Sequence, residues 1–309
     1  MIQKKNLARW WFLKGCRYDS IGSKRDKAIA AYRKSIKYDD KLTDAYVNLG
    51  FIYLAEKDYE RAAKCFQDVV ELEPENPEAF NNLGYVYEGM ARFGSARQAY
   101  GQASGLDPGN VETMLNLAKV LELEGNYHCA VKQYNKAIKQ DPDNTAPRFC
   151  LAVLYDNYDM FDEALVEYKG VIDRDPDHLK ALLNMGNLYV QLGNNDRAID
   201  LFKRVIALDP DNADACNQLG SVYKSAGNYA EASAAYKRVL SLDPFLEDAH
   251  MELAEAQYYQ YRSKFNGIKK EEVRQRLDYL LAINPDNGKG KQLLKELIEG
   301  DRMSNDGSA

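Results

Sequence analysis

ADACNQLGSVYKSAGNYAEASAAYKRVLSLDPFL, residues Ala213–Leu246, decides the fold. With Ala213 as position 1, Cys216, Leu219, Gly220 and Tyr223 stand at positions 4, 7, 8 and 11, the i, i+3, i+4, i+7 spacing of one α-helical stripe. Gly227-Asn228 ends that helix, since glycine accepts the left-handed conformation found just past a helix C-terminus. Ala232, Tyr236 and Val239 form a second stripe, and Pro244 stops it, having no N–H and restricting the residue before it. The stretch therefore reads as two antiparallel helices, A and B, of about 14 residues each around a tight turn.

The same unit recurs. Pro74, Pro108, Pro142, Pro176, Pro210 and Pro244 follow one another at intervals of 34 residues, a period that marks stacked repeats. Position 8 is always small: Gly50, Gly84, Ala118, Ala152, Gly186, Gly220 and Ala254. A small residue there lets helix B approach closely, with Ala62, Ala96, Ala130, Ala164, Ala198 and Ala232 expected to face it. Bulky residues alternate with these, including Phe66, Tyr100, Tyr134, Tyr168, Phe202 and Tyr236 at position 24.

The Leu-Gly, Tyr, Ala, aromatic and Pro spacing, held in phase through six consecutive units, resembles the tetratricopeptide repeat (TPR) family over about nine-tenths of the chain. The resemblance implies an all-α fold, a right-handed α-α superhelix of about eight helix pairs plus a C-terminal capping helix. It also implies the binding of a peptide or protein segment along the inner face.

Residues 1–42 read as a basic, degenerate first repeat. Its helix B is marked by Ala28, Tyr32 and Ser35, and its helix A fits only when shifted by one residue, through Leu13, Gly15 and Tyr18. Six regular units occupy 43–246. In the fourth, Pro147 falls in the first turn of helix A, where proline is tolerated, and Arg148 is expected to lie along the surface with its stem buried. A seventh unit, 247–287, carries seven extra residues, expected to lengthen its helices by nearly two turns and to include Tyr258, Tyr259, Tyr261, Phe265 and an Asn266-Gly267 turn. A capping helix is expected in 288–300, with Leu293, Leu294, Leu297 and Ile298 on one side, and a disordered tail over 301–309.

Composition excludes several classes. No apolar run approaches the length of a membrane span, and Trp10-Trp11-Phe12-Leu13 is too short for a signal sequence, which leaves a cytoplasmic protein with peripheral membrane association as an option. Five scattered cysteines fit free thiols in a reducing compartment. His128, His178 and His250 have no metal-ligand spacing, and no phosphate-cradling or dinucleotide fingerprint occurs. Asp209-Pro210-Asp211-Asn212-Ala213-Asp214 lacks the glycine and distal glutamate of a calcium loop and reads as a turn whose Asp and Asn cap the next helix. The expectation is a non-enzyme without cofactors or metal.

The candidate surface is the helix A stripe opposite positions 4, 7, 8 and 11. At position 6 stand Asn48, Asn82, Asn116, Cys150, Asn184 and Gln218. An amide can donate to and accept from a peptide backbone, and the row is similar to the asparagine ladder of some TPR proteins; simple preference for Asn at this position in the family is the other reading. Beside it, Phe51, Tyr85, Leu115, Phe149, Val153 and Leu183 form an apolar track, unless packing against the next repeat hides them. Lys119 and Lys180 are its main basic residues. The clamp for a terminal carboxylate found in chaperone-binding TPR proteins needs Lys at position 5 and Arg at position 6, and no unit here has either.

Charge is uneven. Residues 1–42 hold twelve Lys/Arg and four Asp/Glu, a balance of +8, which leaves −14 on the remainder of a chain whose net charge is −6. Nucleic acid is thus a poor ligand for the main array. The first repeat has three readings: an anionic-surface contact through Lys4, Lys5, Arg9, Trp10, Trp11 and Lys14; a head-to-tail contact with the acidic part of another copy; or a cap with Trp10, Phe12 and Leu13 packed on the second repeat. The leading expectation is an adaptor that binds a protein or peptide segment in the groove. The alternatives are a self-assembling or membrane-peripheral scaffold acting through the basic repeat, and a targeting subunit of a separate enzyme.

Overall fold

The computed structural model describes residues 2–263 and 268–305; Phe265, the Asn266-Gly267 turn and the tail beyond 305 lie outside the described residues. Among those residues all regular structure is helical. The chain divides into two compact units, 1–154 and 155–309. The first holds α1 Ile2–Asp19, α2 Arg25–Tyr38, α3 Thr43–Ala55, α4 Tyr59–Leu72, α5 Pro77–Gly89, α6 Phe93–Leu106, α7 Val111–Leu123, α8 Tyr127–Gln140 and most of α9 Thr145–Asn157. The second continues with α10 Phe161–Ile172, α11 Leu179–Gln191, α12 Asn195–Leu208, α13 Ala213–Ser225, α14 Tyr229–Leu242, α15 Glu247–Arg262, α16 Lys270–Ile283 and α17 Gly288–Asn305. Odd helices are A and even helices are B; counted from α3–α4, α13–α14 is the sixth pair and α15–α16 the seventh, with α1–α2 before them and α17 last. Within each unit, helix A packs on its own helix B and on the helix B before it.

Where position 8 is glycine, the contact that spaces the pair is an aromatic ring against a missing side chain. A Cβ on Gly50 would lie 2.8 Å from the Phe66 ring, on Gly84 2.7 Å from Tyr100, on Gly186 2.6 Å from Phe202 and on Gly220 2.8 Å from Tyr236. The residue over the small position is therefore the position-24 ring, which is fully buried in all four pairs, and not the helix B alanine expected there. Gly15 sits under Tyr32 in the same way, at 2.5 Å, so α1–α2 is a true member of the series; a turn of 3-10 helix, Gly22–Lys24, lies in its longer connector.

Helix A is buried more widely than one stripe. Positions 4 and 11 are only half-buried in several units, as at Tyr46, Phe80, Tyr87 and Tyr223, whereas position 3 (Ala45, Ala79, Ala181, Ala215) and position 10 (Ile52, Val86, Val120, Leu188, Val222) are buried. A helix with two neighbours needs two apolar flanks.

In the six regular units the A–B turn is closed by a hydrogen bond from the position-16 N–H back to the position-11 carbonyl, as from Asn228 to Tyr223 (2.8 Å) and from Arg92 to Tyr87 (2.8 Å). This closure requires a left-handed residue at position 15. Glycine supplies it at Gly125, Gly193 and Gly227 (φ +72°, +72°, +77°), whereas Lys57, Ala91 and Asp159 adopt it without glycine's freedom (φ +58°, +55°, +57°). Between repeats, Asn76, Asn110 and Asn212 cap the next helix A through Ala79, Thr113 and Ala215 N–H. Asn212 also donates to Asp209, so the calcium-like stretch is a capped inter-repeat turn.

The seventh pair departs from the expected lengthening. Helix α15 has 16 residues where α13 has 13, while α16 keeps the 14 of α14; the other four extra residues fall in the connector, 263–269. Against α15 lies α17, which continues to Asn305, into the stretch expected to be disordered. Leu293 and Leu297 are buried, Leu294 packs partly against the same cluster, and Ile298 is 43% exposed. Tyr258 donates to Glu296 at 2.8 Å. Glu255 is 6% exposed and holds two ammonium groups, Lys224 at 2.6 Å and Lys289 at 2.7 Å. Burial by itself would raise the Glu255 carboxyl; the two lysines outweigh it and hold the group below the ordinary carboxylate range.

Two stability outcomes are expected. Gly227→Ala costs about 1 kcal/mol, because alanine resists the left-handed conformation, whereas Ala91→Gly gains about 0.5 kcal/mol after glycine's larger unfolded-state entropy is subtracted; urea unfolding midpoints should move in opposite directions. Glu255→Gln costs about 2 kcal/mol at neutral pH, the worth of charge-assisted hydrogen bonds. A lowered folded pKa gives stability that is present above the unfolded value of 4.5 and lost as pH falls through the folded one. The gap between wild type and variant should therefore close in melts taken at progressively lower pH.

Candidate functional site

Positions 5, 6 and 9 of helix A lie on the side away from the helix's own buried stripe, and each unit presents its own set of them. In the first unit, the position-9 residues Phe51 and Tyr85 are 47% and 57% exposed, and Lys119 at the same position of α7 is exposed. Phe51 is braced by an edge-to-face contact with Phe66, ring centroids 5.5 Å apart, so its ring is held out by the same buried aromatic that fills the Gly50 site. Leu115, Phe149 and Val153 are half-buried, as are Asn48, Asn82 and Asn116. In the second unit, Lys180 is exposed, and Leu183, Asn184 and Gln218 are half-buried. Leu183 packs against clusters built on Phe202 and on Leu182 and Val205, so that part of the apolar track is inter-repeat packing. In the seventh pair, positions 5 and 9 are Met251 and Glu255, both buried.

The amide row is not uniform. Asn48 donates to Tyr32 Oη (3.3 Å) and Asn184 to Tyr168 Oη (3.2 Å). In these two units the position-6 amide bonds the tyrosine hydroxyl of the preceding repeat. Asn82 and Gln218 follow Phe66 and Phe202, which carry no hydroxyl. Asn116 makes a long contact to Asn81 Oδ1 (3.4 Å). Cys150 breaks the row with a half-buried thiol, raised chiefly by burial.

A second pattern escapes the stripe reading. Tyr100 donates to Glu88 (3.1 Å), Tyr134 to Glu122 (3.2 Å) and Tyr168 to Asp156 (3.4 Å), always position 24 to position 12 of one repeat. Where position 24 is phenylalanine, position 12 is apolar: Leu54 with Phe66 and Val190 with Phe202. Burial raises the phenols of Tyr100, Tyr134 and Tyr168, which keeps them protonated as donors. In the sixth pair, Lys224 replaces the acid, and Tyr236 donates instead to Glu252 of the next repeat (2.9 Å), which also binds Lys224 (2.5 Å). The signal was present in the sequence as paired residue types twelve apart.

Clefts between helices lie elsewhere. One of about 580 Å³ is lined by Phe80, Leu83 and Tyr87 of α5 with Gln98 and Gln102 of α6, and one of about 320 Å³ by Cys216, Leu219 and Tyr223 of α13 with Ala235 and Arg238 of α14. Both are floored by positions 4, 7 and 11, and none of the predicted contact residues lines either.

The predicted basic surface is on α1. Lys4, Lys5, Arg9 and Trp10 are exposed, and Trp11 and Lys14 are half-buried. The cap reading placed Trp10, Phe12 and Leu13 in the core. Phe12 does pack there, 5.9 Å from the Tyr32 ring, but Trp10 is 52% and Leu13 59% exposed, because the stripe of α1 that meets α2 runs through Ala8, Phe12 and Gly15.

No group of three or more His, Cys, Asp or Glu placed to hold a metal ion occurs among the described residues, and no helix there is long and apolar enough to cross a membrane. His128 is exposed, His178 caps α11 by accepting from Ala181 N–H, and buried His250 lies between the Pro244 carbonyl (2.9 Å) and Arg276 (3.3 Å).

Comparison with known proteins follows the same lines. None of the curated proteins matches the chain. Among solved structures, the C-terminal part of a TPR repeat-containing protein from Cytophaga hutchinsonii is similar with a TM-score of 0.68 at 17% identity, covering 80% of this chain and 99% of that one. A tetratricopeptide repeat protein from Parabacteroides merdae has a TM-score of 0.56 at 18% identity over 83% and 98%. Pseudomonas aeruginosa pilF has a TM-score of 0.54 at 18% identity over 69% and 96%. These likenesses concern the fold. The family described as TPR repeat matches residues 52–90 and 186–227, and two described as tetratricopeptide repeat match 88–148 and 213–246, together about half of the sequence. With the repeat period, the ring-over-glycine pairing and these matches in agreement, the chain belongs to the tetratricopeptide repeat family.

Proposed function

We propose that this chain is a non-enzymatic protein-interaction scaffold whose first unit binds an extended or helical segment of a partner across α3, α5 and α7. TPR repeats are protein-interaction modules, and that coarse role follows from the family. The observation that carries the finer reading is the exposure of two large aromatics, Phe51 and Tyr85, at one repeat position on successive A helices, continued by Lys119. An aromatic held out of a packed repeat is a ready anchor, and such residues dominate interface energetics. Asn82 lies beside Tyr85 in the row and follows a phenylalanine, so its amide is the one most suited to a ligand backbone. Asn48 and Asn184 are engaged by tyrosines and act first as packing groups. Lys119 suits an acidic side chain in the partner.

Peptides selected by the full chain from a random library provide the test. Tyr85→Ala with Lys119→Glu should weaken the selected peptides by about 2 kcal/mol, roughly thirtyfold, with unfolding unchanged. Asn184→Ala should instead cost about 1 kcal/mol of stability and leave the affinity for these peptides intact. Selected peptides that ignore Phe51, Tyr85, Asn82 and Lys119 substitutions would place the binding face elsewhere.

A further inference from the structure

The α1–α2 pair carries a charge and an aromatic surface that neither the core nor the proposed peptide site uses. Twelve Lys/Arg fall within residues 1–42, and among the described residues none of them forms an ion pair with a carboxylate. Arg33 donates to Tyr53 Oη (2.8 Å). Lys14 Nζ lies over the rings of Trp10 (4.5 Å) and Trp11 (4.9 Å), and Lys34 Nζ over Trp11 (4.2 Å). Trp10 and Trp11 meet edge-to-face at 4.8 Å. On the outward side of α1, Leu7, Trp10 and Leu13 are exposed at 40%, 52% and 59%, at i, i+3 and i+6, with Lys4, Lys5, Arg9 and Arg17 exposed around them.

We infer that the outward face of α1, with Lys34 of α2, is a docking surface for an anionic lipid bilayer. The cations alone would suit any acidic partner. The apolar component selects among partners: a carboxylate-bearing protein surface answers the lysines but leaves Leu7, Trp10 and Leu13 in need of a fitted pocket. The bilayer interface accepts both, phosphate and serine headgroups taking the cations and the headgroup–acyl boundary taking indole and leucine side chains. Lysines resting on the indole faces are placed so that both components reach the surface together. The −14 balance of residues 43–309 is repelled by an anionic membrane, so only this pair is drawn toward it. The contact is peripheral and salt-dependent, since the helix lies along the surface and its attraction is screened within a Debye length.

Trp10 and Trp11 are the only tryptophans of the chain, so its indole fluorescence reports on this helix alone. The full chain is titrated with vesicles of phosphatidylcholine, with and without phosphatidylserine, at low and high salt. Binding is read by co-sedimentation and by the emission maximum. The proposal expects binding and a blue shift with phosphatidylserine vesicles, neither with phosphatidylcholine alone, and loss of both at high salt. Lys4→Glu with Lys5→Glu and Arg9→Glu should lower partitioning by at least about a hundredfold, at roughly fivefold or more per cation. Trp10→Ala with Leu13→Ala should weaken binding while circular dichroism stays unchanged. Absence of binding to phosphatidylserine vesicles overturns the proposal, as does binding that survives the charge reversals. Salt-sensitive self-association without lipid, abolished by the same reversals, overturns it in favour of a second copy as the occupant.

Discussion

Everything in this fold depends on how closely two helices of a pair can approach, and in the glycine-bearing pairs that distance is set where a helix B ring lies on a helix A glycine. A Cβ at Gly50, Gly84, Gly186 or Gly220 would stand under 3 Å from ring carbons, closer than packed atoms tolerate. Glycine in a helix interior is unfavourable by about 1 kcal/mol, but the ring it admits is removed from water entirely, worth about 2–3 kcal/mol. The balance favours the close pair, and the same ring is then available to the neighbouring repeat. In this way one steric fact sets both the geometry of a repeat and its coupling to the next.

That coupling carries chemistry as well as shape. When the ring is phenylalanine, its edge ends in apolar surroundings, as with Leu54 and Val190. When it is tyrosine, the hydroxyl emerges beside helix A and must be satisfied, and Glu88, Glu122 or Asp156 accept it. Asn48 and Asn184 of following repeats then add a donor. At Tyr168 these bonds join a buried phenol, a carboxylate and an amide into one small network. They divide the amide row into members held by the protein and members turned to other partners, which a ladder of equivalent asparagines does not capture.

The repeat period, the helix pairs, the turn glycines and the capped inter-repeat loop were legible because each rests on local spacing. What the sequence left obscure is two-sided packing. Position 10 is aliphatic in every regular unit and position 3 is small in most, yet a single-stripe reading assigns them to the outside; only a second neighbour makes them core. Leu183 was placed on an open track for the same reason, since its burial depends on α12 and α13 together. In the seventh pair, the seven extra residues matched nearly two helical turns, but periodicity cannot say how an insertion is shared between a helix and its connector. Trp10 and Leu13 were left between an outward surface and a cap packed on the second repeat, because aromatic content alone does not reveal helix rotation; Gly15 under Tyr32 fixes that rotation and turns both outward.

The two ends of the array meet one problem in different ways. A repeat stack exposes apolar surface at each terminus, and a terminal helix must cover it. At the C-terminal end, α17 does so economically: Leu293 and Leu297 go inward, Glu255 is enclosed between two lysines, and Tyr258 finds Glu296. On α1, Ala8, Phe12 and Gly15 meet α2, and that packing asks nothing of Leu7, Trp10 or Leu13. Exposed apolar side chains that this packing does not require have a cost in solubility, and here they sit among cations that find aromatic faces instead of carboxylates. Packing on α2 explains the inner stripe of α1 and not its outer one, and the outer one is where a surface interaction has room to act.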